Sequence, residues 1–187
     1  MTTPTRGRPR ASSRETIADA AIELFLEQGY EATSVTEITR RAGVSRSSFF
    51  NYFSGKSDIL WFVFDKHLDA VLAALEQPDT EVAEALAGFG AGAPPETLAL
   101  AIVDARTMGV EADLTAGRAE RQLRLGAAVA ARLAEGGVPA LRAEIAGAGY
   151  AAALVAAVWH WAQLGAGRHR LDEVLAEALE TAHAVLA

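Results

Sequence analysis

The sequence predicts an all-α protein, with a small N-terminal helix-turn-helix unit followed by a larger helical part. Three observations carry this. Hydrophobic residues make up 51% of the 187-residue chain, Ala is abundant and β-branched runs are scarce, which favours helices over sheet. Apolar residues recur at helical spacing along most of the chain. Residues 34–53 read as two short helices joined by a tight turn.

Charge narrows the function. The net charge is −7, but it is unevenly spread: residues 1–56 carry eight Lys/Arg against six Asp/Glu, and the remainder nine against eighteen. A basic N-terminal stretch on an acidic protein favours a confined nucleic-acid footprint over general affinity. Cysteine is absent, which excludes disulfide frameworks and thiolate chemistry. The N-terminus lacks the apolar core of a signal peptide, so a cytoplasmic protein is expected.

In chain order, residues 1–11 place Arg6, Arg8 and Arg10 among residues that cannot sustain a helix. They predict a disordered basic arm that lies along or into a minor groove of double-stranded DNA. Ser12 and Glu15 form a capping box that opens a first helix running to Gln28. Ile17, Ala21, Leu24, Phe25 and Gln28 share one of its faces, and Gly29 is its stop signal. A second capping box, Ser34 with Glu37, starts the next helix, whose apolar stripe is Val35, Ile38 and Ala42. Gly43 supplies the turn and Ser45 caps a third helix. There Phe49, Phe50 and Phe53 are expected to pack inward and Arg46, Ser47, Ser48, Asn51 and Tyr52 to face outward. Such a face donates to base edges and phosphates without filling a groove with bulk, which makes the third helix the reader.

Ser54-Gly-Lys-Ser57 opens a long helix expected to reach about Gln77. Gly55-Lys56-Ser57 resembles the end of a phosphate-binding P-loop, but Phe50 stands where that motif needs a glycine. Lys56 and the helix N-terminus are instead expected to hold a DNA phosphate. Leu60, Phe64, Leu68, Val71 and Leu75 form a stripe that can join the reader unit to the rest.

Pro78 breaks that helix, and two weaker segments follow at about 80–89 and 95–107. A longer helix is expected over 111–135, with Arg118, Arg121 and Arg124 forming a solvated basic face. Residues 145–167 contain no Asp, Glu, Lys or Arg. That length could span a bilayer. The run is mostly Ala and Gly, however, with His160 and Gln163 inside it, so no membrane role is expected. Small residues such as Gly149, Ala152, Ala153, Ala156 and Ala157 suit a close helix–helix interface. A last amphipathic helix from Leu171 carries Val174, Leu175, Ala178, Leu179, Ala182 and Val185 on one side. Two such C-terminal helices from each of two subunits predict a four-helix homodimer interface. The two readers would then meet successive major grooves about 34 Å apart.

Nothing in the sequence asks for catalysis, a metal or a cofactor. There is no G-x-S-x-G elbow and no H-E-x-x-H, and the four histidines (His67, His160, His169, His183) lack metal-ligand spacing.

Thr16-Ile-Ala-Asp-Ala-Ala-Ile-Glu-Leu-Phe25, Gly29-Tyr-Glu-Ala-Thr-Ser-Val-Thr-Glu-Ile38, Ala42-Gly-Val-Ser45 and Phe49-Phe-Asn-Tyr-Phe53-Ser-Gly-Lys56 resemble the TetR family of one-component transcriptional regulators. The resemblance is dense over residues 13–60 and only architectural beyond about residue 80. It implies a basic arm over 1–11, a DNA-binding domain over 12–56 and a regulatory and dimerisation domain over 57–187. It implies a homodimer on a palindromic operator, usually a repressor, released when a small molecule fills a pocket in the C-terminal domain. An architectural DNA-binding protein without an effector is the alternative.

Carried onto this chain, base reading falls to Arg46, Ser47 and Ser48. Phosphate contacts fall to Thr33, Ser34, Tyr52 and Lys56, Asn51 serves either, and Ser45 stands among the DNA-facing residues. Many family members have Tyr where this chain has Phe50, so Phe50 is expected to be core. Pocket candidates are Trp61 and Phe62, Arg106 and Met108, and Trp159, His160 and Trp161. The scarcity of charge points to an apolar or amphipathic effector.

Overall fold

The computed structural model describes residues 13–186, and among them it holds ten α-helices and no strand. α1 (Ser13–Gln28), α2 (Val35–Ala42) and α3 (Arg46–Phe50) form the N-terminal unit. α4 (Lys56–Leu75) leads out of it. α5 (Val82–Ala87) with a 3-10 turn at Gly88–Gly90, α6 (Glu96–Val103) and α7 (Ala105–Met108) are short. α8 (Glu111–Glu135), α9 (Ala140–Gly165) and α10 (Leu171–Leu186) complete the chain. Ser12, the expected capping partner of Glu15, and the arginine arm lie outside the described residues.

The N-terminal unit packs around one end of a hydrophobic core that continues into α4 and the later helices. Ile17, Ala21, Leu24 and Phe25 of α1 meet Ile38 of α2, Phe49 of α3 and Phe53, all buried. Gln28, placed on the same face by spacing, is exposed and donates to the Thr33 hydroxyl at 3.3 Å.

α4 buries its expected stripe, and Ile59 and Trp61 as well. These extra residues are covered because α6, α8 and the 3-10 turn all pack on this helix. Burial on more than one side makes α4 a central strut rather than a half-exposed linker.

The basic stripe of α8 departs from expectation. Arg121 is bidentate to Asp65 of α4, with both contacts at 2.6 Å, and its guanidinium lies 4.0 Å from the Trp61 ring centre. Arg124 reaches Asp69 at 2.8 Å, and Arg118 sits 4.7 Å over Trp159. Sequence spacing placed three arginines on one face correctly but did not reveal that Asp65 and Asp69 stand opposite. The stripe therefore joins helices, with Arg121 held by Asp65 and Arg118 half-buried on Trp159, while Arg124 stays exposed, as expected, at its pair with Asp69.

α9 packs on α8 and on α10. It is long and apolar enough to cross a membrane by length and composition alone. Its small residues serve close packing: a Cβ on Gly147 would lie 2.9 Å from the Ala130 amide nitrogen of α8. That approach is open only to a residue without a side chain. The helix also begins earlier than the charge-free run, at Ala140, and so includes Arg142 and Glu144.

Candidate nucleic-acid interface

The turn between α2 and α3 is built by local chemistry. The Ser34 backbone N–H donates to the Glu37 carboxylate at 2.8 Å, and the Glu37 N–H donates back to Ser34 Oγ at 3.2 Å. These bonds from Ser34 hold the Glu37 carboxyl below its ordinary pKa. Gly43 closes α2 at φ +68°, a left-handed conformation that costs other residues steric strain. Ser45 then caps α3, accepting from the Ser48 N–H at 3.0 Å.

The orientation of α3 follows from a 100° step per residue. Phe49 and, one turn on, Phe53 point into the core and are fully buried. Arg46, Ser47, Asn51 and Tyr52 are exposed, as expected, and Ser48 is half-buried. Ser45 and Ser34 are exposed too, although the Ser45 hydroxyl is shared with those of Ser47 and Ser48, both at 2.8 Å.

Phe50 is the exception. Expected to be core, it is 49% exposed. Phe49 occupies the buried position beneath α3. Phe50, one residue on, is rotated onto the outer face in the same row as Arg46, whose guanidinium lies 5.5 Å from its ring centre.

Two expected phosphate contacts have other duties. Thr33 is only 1% exposed, and its hydroxyl donates to the Gly29 carbonyl at 2.7 Å. It fixes the α1–α2 turn and offers no free face. Lys56 donates to the Tyr30 carbonyl at 2.6 Å with its ammonium 4.3 Å over the Tyr30 ring. Tyr30 in turn donates its N–H to the Met108 carbonyl at 2.7 Å. Burial, and then the charge and hydrogen bond of Asp113, push the Tyr30 hydroxyl up to about 12. This node ties the reader unit to α4, α7 and α8, and no sequence motif announces it.

Other charges brace the surface. Arg41 pairs with Glu27 at 2.6 Å and Glu23 at 3.1 Å, clamping α2 to α1. Arg14 lies 5.8 Å from the Tyr52 ring centre and 5.3 Å from that of Phe62. Sequence reasoning missed Arg14 because its partners are distant along the chain. Arg6, Arg8 and Arg10 lie outside the described residues.

The pocket candidates do not converge. Trp61, Met108 and Trp161 are fully buried and fill space. Trp61 lies 6.0 Å from Trp159, centre to centre, with Arg121 and Arg118 against the two rings. Trp161 donates its indole N–H to the His169 carbonyl at 3.0 Å. Phe62 is half-buried, and Arg106 and His160 are exposed in separate places. The open space touches few of them. A crevice of about 530 Å³ between the end of α4 and α8 is lined by Leu72, Leu75, Arg124, Ala128 and Arg132. A groove of about 420 Å³ on the outer face of α9 and α10 is lined by Ala153, Ala156, His160, Val174 and Val185.

Residues 17–60 match the model of bacterial regulatory proteins, tetR family. The transcriptional activator FasR of Mycolicibacterium smegmatis is 35% identical over 37% of this chain and 32% of its own length. The transcriptional repressor ComR of Escherichia coli is 32% identical over 38% of this chain and 34% of its own. The chain thus spans about a third of the curated relatives it matches. The fatty acid degradation regulator FadR of Bacillus halodurans superposes with a TM-score of 0.56 at 19% identity, covering 94% of this chain and 96% of that one. That likeness extends the common fold through the C-terminal helices.

Proposed function

We propose that the chain, whose residues 17–60 match the tetR family of bacterial regulatory proteins, is a homodimeric repressor of transcription that binds a palindromic operator and is released by a small-molecule effector. The observation that carries this is the outer face of α3. It presents Arg46, Ser47 and Asn51 to solvent on a helix whose opposite side is locked by Phe49 and Phe53. A rigid, exposed row of donors suits a major groove.

Dimerisation rests on α9 and α10. Their shared outer face is apolar and open, with Val185 79% exposed and Ala156 exposed beside it. A second copy related by a two-fold axis would bury the same face on both subunits. Sequences related to an activator and to a repressor share this N-terminal domain, so the sign of regulation is not contained in it.

For the effector, the crevice between α4 and α8 is a better seat than the tryptophans. Its floor is Leu72, Leu75 and Ala128, and its rim carries Arg124 and Arg132 beside Glu76 and Glu135, an apolar base with a mixed-charge edge suited to an amphipathic molecule. Because α4 leads directly from the reader unit, a ligand there would act on the helix common to both parts.

The experiment is fluorescence anisotropy of the full chain on DNA flanking its own gene, at moderate salt, against scrambled DNA of equal length. Tight, palindrome-dependent binding supports the repressor reading. Equal binding to both, together with broad genomic occupancy, supports an architectural protein instead.

A further inference from the structure

We propose that Phe50 is a specificity-determining residue that reads the C5-methyl of a thymine in the major groove, one or two base pairs from the base read by Arg46. The proposal rests on α3 being the reader helix.

The argument begins from exposure. A phenyl ring stands 49% open to solvent at the centre of an otherwise polar face, and among the described residues its contacts with Phe49 and Arg46 leave its outer edge uncovered. Its inner edge meets Phe49, ring centres 5.2 Å apart at 78°, so its direction is set by the core beneath. The Arg46 guanidinium lies 5.5 Å from the ring centre. The ring is therefore a fixed feature of the surface, and it turns a free edge outward beside Arg46.

Chemistry then selects the target. Phenyl carries no donor or acceptor, so it cannot hold a phosphate and cannot recognise a purine edge. The apolar group that base pairs offer in the major groove is the thymine methyl. Arg46 and Phe50 are four residues apart on one helical face, about 6 Å along the axis, which is close to two base steps of about 3.4 Å. Arg46 supplies a donor fork suited to guanine, and the ring beside it reads a methyl nearby. Asn51 and Ser47 share the adjacent row and complete the polar contacts.

The test uses the full chain. A preferred site is selected from a random duplex pool, and each thymine in it is replaced singly by deoxyuridine, which removes only the methyl. Affinity is measured for the unmodified chain, Phe50→Ala and Phe50→Tyr. The expected result is one position per half-site where loss of the methyl weakens binding about fourfold. That dependence disappears in Phe50→Ala and persists in Phe50→Tyr, which keeps the ring. Methyl dependence that survives Phe50→Ala, or a selected site indifferent to every thymine methyl, overturns the assignment of Phe50 while leaving α3 as reader. A pool that enriches no sequence overturns the reader assignment, and that of Phe50 with it. Phe50→Ala removes a half-exposed side chain and leaves the buried Phe49 and Phe53 in place, so circular dichroism should match the unmodified chain.

Discussion

At the residue scale, function and stability separate along α3. Arg46 stands in solvent, and among the described residues no carboxylate pairs with its fork. Arg46→Ala should cost about 1–3 kcal/mol in operator discrimination while leaving the melting curve in place. Competition between the selected site and single-base variants checks this, and unchanged discrimination would remove Arg46 from base reading. Phe49→Ala empties a fully buried site and should cost about 3–5 kcal/mol of stability in urea unfolding. Tyr30 offers a pH test. Its folded pKa of about 12 lies above the ordinary value of 10.0 because burial and Asp113 disfavour the phenolate. The native state therefore holds the proton more tightly, so this contribution is full below pH 10 and fades as pH rises toward about 12. Thermal melts of Tyr30→Phe should lose that alkaline component relative to the unmodified chain, and parallel curves would refute it.

At the scale of elements, α4 and α8 are joined by two ion pairs that burial makes unequal. The side chains of Arg121 and Asp65 are 15% and 27% exposed, whereas those of Arg124 and Asp69 are 54% and 61% exposed. Asp65→Ala leaves a partly buried guanidinium without its bidentate partner, and should cost about 1–3 kcal/mol. Asp69→Ala should cost less than about 1 kcal/mol and respond to salt. Urea titrations of both variants test the order, and equal losses would mean that burial does not separate the pairs. α4 carries Lys56 at its start and Asp65 and Asp69 beyond it, so one helix holds both the Tyr30 node and the clasp to α8.

For the whole molecule, the proposed dimer puts the strongest demand on the apolar groove of α9 and α10. Ala156 lines it and is exposed in the single chain. Ala156→Glu should leave the fold intact, convert a dimer to a monomer in sedimentation, and abolish the advantage of a palindrome over a half-site. A variant that sediments as a dimer would place the interface elsewhere. Lys56 joins the two scales. If it also touches a phosphate, Lys56→Ala lowers the slope of log affinity against log salt by about one. If it serves only Tyr30, the slope stays and the melting temperature falls.

Local chemistry made much of this protein legible in advance. The Ser34–Glu37 box, the Gly43 turn, the Ser45 cap and the stripe of α4 each depend on residues within a turn or two, so spacing alone locates them. The outward position of Arg46, Ser47, Asn51 and Tyr52 follows from the same periodicity. What periodicity could not decide was which neighbour an outward or inward residue would meet. Phe50 and Phe49 are alike in hydropathy, and only the packing beneath α3 sent one out and the other in. The arginines of α8 read as solvated until packing set Asp65 and Asp69 against them across more than fifty residues of chain. Of the aromatic residues proposed as pocket walls, Trp61 and Trp161 became core for the same reason, while Phe62 and Trp159 are half-buried against it. Contacts between residues far apart in sequence are fixed by how helices stack, and stacking is decided by the fit of whole faces rather than by any stretch of sequence.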